Sequence, residues 1–219
     1  MKVLVACECS GRVRDAFLRR GHDAISCDLD PCETGGPHYQ GHVLDVLEDG
    51  WDLMIAHPPC TYLSRAGARW LYPSPGVLDP ARHALGLEAR RLFLQLLRAP
   101  IDRIAIENPT PLSVFNLPPH SQTIEPYEHG HPYSKRTRLW LRGLPPLNPT
   151  RTVDEYEPFL PSNTGGASRK ERHAYSLVKD PREASRTFPG IAEAMAAQWG
   201  DRDPTSSEAG TQLYLDLTG

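Results

Sequence analysis

The 219-residue sequence predicts an α/β fold in which a parallel sheet carries helices on both faces. Two observations lead there. Short apolar runs of strand length alternate with amphipathic stretches of helix length. The residues that close those runs are polar or reactive, namely Glu8, Asp28, Asp45, Cys60 and Glu107. In open parallel sheets, ligands bind beyond the carboxyl ends of the strands, so the pattern also marks a candidate site.

Val3 to Cys7 forms the first strand and leads through Ser10-Gly11 into a helix with Val13, Phe17 and Leu18 on its apolar face. Gly21 suits the end of that helix, because glycine adopts the left-handed conformation at low cost. Ala24 to Cys27 is the second strand, with Asp28 at its end. Val43 to Val46 is expected as a third strand carrying Asp45. Asp52 to Ala56 is the fourth and runs into His57-Pro58-Pro59-Cys60. Residues 82 to 98 form an amphipathic helix with Leu85, Leu87, Leu92, Phe93, Leu96 and Leu97 as its apolar positions. Arg103 to Ile106 is the fifth strand, ending in Glu107-Asn108-Pro109, and a further strand carries Ser134 to Leu141. Residues 1–142 make the main domain. Residues 143–185, rich in Pro, Gly and Ser, read as an irregular insert. The stretch 186–200 returns as a helix from Gly190 to Trp199, and 201–219 is a polar tail.

Composition narrows the function classes. A net charge of -3 argues against a general polyanion binder with a broad basic face, while leaving room for a local basic cleft. Arginines cluster at Arg65 and Arg69, at Arg90 and Arg91, and at Arg136 and Arg138; most read as solvated helix faces. The five cysteines are odd in number and form no CxxC pair. Cys27, Cys32, His22 and His38 match no familiar zinc spacing, so reduced thiols and no metal are expected. No apolar run reaches the roughly 18 to 20 residues of a membrane span. The start, MKVLVACEC, reads as a strand rather than a secretion signal, so a cytoplasmic location is expected.

Ser10-Gly11 between strand and helix allows close backbone approach to a ligand. Asp28 is placed for ribose hydroxyls and Asp45 for an adenine amino group. Together with the absence of a lysine-bearing phosphate loop, they favour an adenosyl ligand over ATP. Two prolines stiffen the exit from the fourth strand and hold Cys60 at the rim of the cleft. Nearby cations or a helix N-terminus would lower its pKa and make it a nucleophile. Glu107 leaves the neighbouring strand into the same cleft, where burial is expected to keep it protonated. Arg136 and Arg138 alternate along a strand and so project to one face.

The order strand–SG–helix, strand–Asp28, Asp45, PPC, ENP and RxR resembles the DNA cytosine-5 methyltransferase family, and within it the short phage- and prophage-type proteins. The similarity spans residues 3 to 140, with a weaker match at 186 to 199. It implies a Rossmann-like class I S-adenosylmethionine-dependent methyltransferase fold with a reduced target-recognition region in place of the usual large one. S-adenosylmethionine would be held by Ala6, Cys7, Glu8, Cys9, Ser10 and Gly11, by Asp28 and Leu29, by Asp45 and Val46, and by His57 and Pro59. Cys60 would add to C6 of cytosine, with Glu107 and Arg138 holding the base and Arg136 supporting. DNA, single- or double-stranded, is the implied substrate; RNA or nucleotides use the same residues, and a partner subunit could supply what the short insert lacks. ENP in place of ENV, Asp28 in place of glutamate, and a glycine-poor first motif depart from the family pattern. Two other readings compete. An amino-methyltransferase would need an aromatic residue where Cys60 stands, and a silent binding module would need neither Cys60 nor Glu107.

Overall fold

The computed structural model describes residues 1–159, 183 and 185–200. The tail 201–219 and most of the expected insert, residues 160–182 and 184, lie outside the described residues.

Seven strands form one sheet. In chain order they are β1 (Lys2–Ala6), β2 (Asp23–Asp28), β3 (His38–Gln40), β4 (Leu53–Ala56), β5 (Arg103–Pro109), β6 (Gln122–Ile124) and, after the two-residue β7 (Tyr133–Ser134), β8 (Thr137–Arg142). Their spatial order is β3-β2-β1-β4-β5-β8-β6, and β7 pairs separately with β9 (Glu157–Pro158). β1 to β5 run parallel, while β8 runs antiparallel to both β5 and β6. The expected Rossmann-like α/β fold is therefore present, with one reversed strand, β8, beside the edge.

The strands β1 and β4 are apolar almost throughout because both faces of the sheet are covered. On one face lie α1 (Arg12–Arg19) and α4 (Pro189–Gly200), packed on Val3, Val5, Leu53, Ile55, Ala105, Leu139 and Leu141. On the other lies α3 (Pro80–Leu97), whose Phe93, Leu96 and Leu97 meet Leu4, Met54, Ile104 and Trp140. α3 starts where Asp79 accepts a hydrogen bond from the Arg82 backbone at 2.7 Å and Pro80 takes the first turn, both favoured at a helix N-terminus. A single turn, α2 (Ala68–Leu71), precedes it. No helix among the described residues is long and apolar enough to cross a membrane.

Two expectations need correction. Val43 to Val46 is not a strand: Val43–Asp45 is a 3-10 turn capped by the His42 imidazole, and the third strand is the polar His38–Gln40. In α3, Leu85 and Leu87 face solvent, and the buried stripe begins at Gly86 and continues through Phe93.

Candidate active site

The order of the strands reverses between β1 and β4, each being the start of a run toward one edge of the sheet, which opens a crevice at their carboxyl ends. The segments that leave those ends are Cys7–Gly11 and His57–Cys60, and the tip of β5 adds Glu107–Pro109 beside them.

The first segment turns sharply. Cys7 has φ 57, a conformation that costs a non-glycine residue energy, and Gly11 has φ 72. A Cβ on Gly11 would lie 2.3 Å from the Arg14 guanidinium, so only glycine fits. The Glu8 carboxylate is buried against the start of α1, accepting from the backbone of Val13 at 2.8 Å and Arg14 at 3.2 Å and from the Ser10 hydroxyl at 3.1 Å. Its oxygens satisfy helix N-H groups that otherwise lack partners, so its side chain shapes the loop. Arg14, also buried, binds Ser26, Thr34, Gly35 and the Cys32 sulfur, and thereby fixes the loop that follows β2. No local pattern marks Arg14 for burial, because its partners lie in the loop 18 to 21 residues further along the chain.

Asp28 ends β2 beside that loop, and one of its oxygens accepts from the Asp30 backbone at 3.0 Å. The adjoining Leu29 is 68% exposed, an unusual state for leucine at a strand end. Asp45 is exposed and receives the Tyr39 hydroxyl at 3.3 Å. With Val46 it lines a cavity of about 340 Å³ whose other walls are Leu4, Ile25, Tyr39, Asp49 and Trp51. That cavity lies on the face of the sheet below β1 and β2. Asp45 and Val46 are thus grouped with mid-strand residues rather than with Cys60.

The polar centre of the site is a pair the sequence reading did not make. His57 Nδ1 and Glu107 Oε2 are 2.8 Å apart, and the Thr187 hydroxyl donates to the same oxygen at 3.1 Å. His57 Nε2 is buried with no hydrogen-bond partner among the described residues. Burial alone would neutralise both groups, but their mutual hydrogen bond and charge prevail. They lower Glu107 from 4.5 to about 2 and raise His57 above its ordinary 6.5. The expectation of a protonated Glu107 is therefore overturned: it is a carboxylate, and its proton partner is His57.

Cys60 is half-buried at the end of the same diproline segment. Asn108 donates to the Pro58 carbonyl at 3.2 Å, clamping that segment to the tip of β5. The Cys60 carbonyl accepts from Leu63 and Ser64, which turn the chain immediately after it. Burial, and then the Glu107 charge, push the thiol up; Lys135 and a hydrogen bond involving Ser64 pull it down by less. Cys60 rests as a thiol, not as the activated thiolate anticipated. Cys60 and Glu107 nonetheless leave the ends of adjacent strands, on segments joined by the Asn108 hydrogen bond.

Arg136 and Arg138 are not drawn to Glu107. The register pairs Glu107 with Leu139 and Asn108 with Arg138. Directly paired residues share a face of the sheet, so Glu107 faces α1 and α4 while Arg138 faces the other side. Arg138 there contacts Thr110, His120 and Thr123. Arg136 is exposed and reaches Glu125 at 3.4 Å. The cation that influences His57, Glu107 and Cys60 is Lys135, which has the parity of Thr137 and Leu139. Its ammonium donates to the Arg186 carbonyl and sits 5.8 Å from the Phe188 ring. Glu183, Arg186 and Thr187 complete the rim, with Arg12 bound to Glu183, Arg186 to Glu33 and Thr187 to Glu107.

No protein-family model matches the chain, and no curated protein matches it. Among solved structures, a methyltransferase of Entamoeba histolytica, EhMeth, is similar at 17% identity with a TM-score of 0.42 over 75% of this chain. The chain spans 61% of that protein's length.

Proposed function

We propose that this protein is an S-adenosylmethionine-dependent methyltransferase acting at C5 of cytosine in nucleic acid, DNA above all, through a transient bond between Cys60 and C6. The observation that supports the reading is that Cys60 and Glu107 follow the ends of adjacent strands, linked through Asn108, beside the point where the sheet order reverses.

The donor set suits an adenosyl group. Asp28 offers a carboxylate at the end of β2 for ribose hydroxyls, and the exposed Leu29 beside it offers an apolar surface for adenine. The tight turn from Cys7 to Gly11 lets backbone approach a ligand closely. When bound, S-adenosylmethionine would supply the electrophilic methyl group.

The chain's own residues do the rest. The Cys60 thiol releases its proton to solvent water and its sulfur adds to C6, pushing electrons into the ring. Glu107 Oε1, which accepts no hydrogen bond among the described residues, is free to accept from the 4-amino group. The proton needed at N3 is held at rest on His57 Nδ1. Glu107 can take it on Oε2 and turn to deliver it, leaving His57 neutral. After alkylation, solvent water takes the C5 proton as the C6–sulfur bond breaks, the sulfur leaves as thiolate and is reprotonated by solvent, and the N3 proton returns to the His57–Glu107 pair. Lys135 offsets negative charge at the sulfur.

Incubation with methyl-labelled cofactor and separate DNA, RNA and nucleotide pools tests the proposal. Label should enter DNA as 5-methylcytosine, and Cys60→Ser should abolish transfer while cofactor affinity stays within a few-fold. Label on an exocyclic amine, or full activity in Cys60→Ser, would overturn it.

A further inference from the structure

The stretch that follows Cys60 is built unlike the rest of the surface. Residues 61–91 hold five arginines against two acids in a chain whose net charge is -3. One of those acids, Asp79, is committed to capping α3. Trp70 is 57% exposed, more than any other Trp, Tyr or Phe among the described residues, and Tyr72 beside it is 38% exposed. The Arg69 guanidinium lies 4.7 Å from the Trp70 ring centroid, and Arg82 lies 4.8 Å from that of Tyr62. Guanidinium groups held at aromatic rings beside an exposed indole form a surface that combines positive charge with an open ring face, as an interaction site does.

The stretch is also tied to the site. The Arg65 backbone donates to the Thr110 carbonyl at 3.1 Å, and Ser64 bridges to Pro111, just beyond the strand that carries Glu107. Arg138 reaches the Thr110 hydroxyl from the other side. A polyanion held by Arg65 and Arg69 therefore lies beside the segment that begins at Cys60 and is pinned to the tip of β5.

We propose that this surface binds single-stranded nucleic acid, with one base stacked on Trp70 and the backbone held by Arg65 and Arg69. Charge complementarity selects a polyanion. An exposed aromatic face selects unpaired bases, because a duplex hides its base faces within the stack. The proposal rests on the nucleic-acid part of the proposed function and not on its chemistry, so binding is read without cofactor. A failure of methyl transfer would leave it standing.

The test uses the full chain with an oligodeoxythymidylate, a mixed-sequence single strand and the duplex of that strand. Trp140 and Trp199 are buried and Trp51 is half-buried, so quenching in the native chain that is lost in Trp70→Phe reports contact at Trp70, and affinities of all variants are read from a labelled oligonucleotide. The single strands should bind at least tenfold more tightly than the duplex. Trp70→Ala should weaken that binding by roughly five- to a hundredfold, the range of one lost base stack. Trp70→Phe should keep most of the affinity, and Arg65→Gln with Arg69→Gln should reduce the dependence on salt. Equal or tighter binding of the duplex, no binding of any of the three, or unchanged affinity in Trp70→Ala would overturn the proposal.

Discussion

At the scale of single residues, the site is governed by where charge resides at rest. Glu107 is ionised by His57, and its charge holds the Cys60 thiol up. Removing that charge has opposite effects on two observables. Glu107→Gln should raise the rate of Cys60 alkylation by iodoacetamide at neutral pH by about three- to tenfold, one pKa unit being tenfold in thiolate. It should also remove methyl transfer, because the ring loses its proton carrier. Alkylation that is unchanged or slower in this variant would mean that Glu107 and Cys60 do not share a site. Gly11 illustrates a different constraint. At φ 72 and with the Arg14 guanidinium where a Cβ would go, Gly11→Ala should cost about 1–3 kcal/mol, read as a lowered melting temperature.

At the scale of elements, packing decides what sequence pattern alone leaves open. Gly86 lies within α3, where alanine ordinarily improves a helix by about 1 kcal/mol. Here a Cβ would meet the Phe115 ring at 2.1 Å, so Gly86→Ala should instead destabilise, by about 1–3 kcal/mol in denaturant unfolding. A gain in stability would show that the ring moves freely aside. The elements with strong apolar patterning were legible: β1, β2, β4, β5, α1, α3 and the closing helix α4 all lie within a few residues of where their patterns put them. β3 was not, because the edge strand HYQ has two exposed residues of three and no apolar alternation, whereas the more apolar Val43–Asp45 is held as a turn by His42. Cys60 and Glu107 were legible because prolines and strand ends fix them. Their protonation was not, since it depends on His57 and Thr187, which are 50 and 80 residues from Glu107 in sequence. The arginines of RTR were expected to alternate along one strand, but only Arg138 lies in β8, and the face it takes depends on a register that no local pattern states. A shift of one residue makes Lys135, not Arg138, the cation near the carboxylate.

For the whole molecule, the His57–Glu107 pair links pH to stability. His57 is raised, so its contribution is complete below its unfolded value of 6.5 and fades as pH rises through the higher folded value. Glu107 is depressed, so its contribution is complete above 4.5 and fades as pH falls toward about 2. The two overlap fully between 4.5 and 6.5. Melting temperature should therefore be highest there, and His57→Asn should flatten the alkaline decline while leaving an acid one. An alkaline decline of equal depth in His57→Asn would assign it to other groups. The carboxyl ends of β4 and β5 thus carry an ion pair and, three residues beyond His57, a resting thiol. The claim that the thiol is a nucleophile toward cytosine is tested most directly with a single strand containing 5-fluorocytosine and saturating S-adenosylmethionine. Fluorine at C5 blocks the last step, so a covalent protein–DNA species that resists denaturation should accumulate with the native chain and not with Cys60→Ser. No adduct with the native chain, or an equal one without the cysteine, would contradict the account.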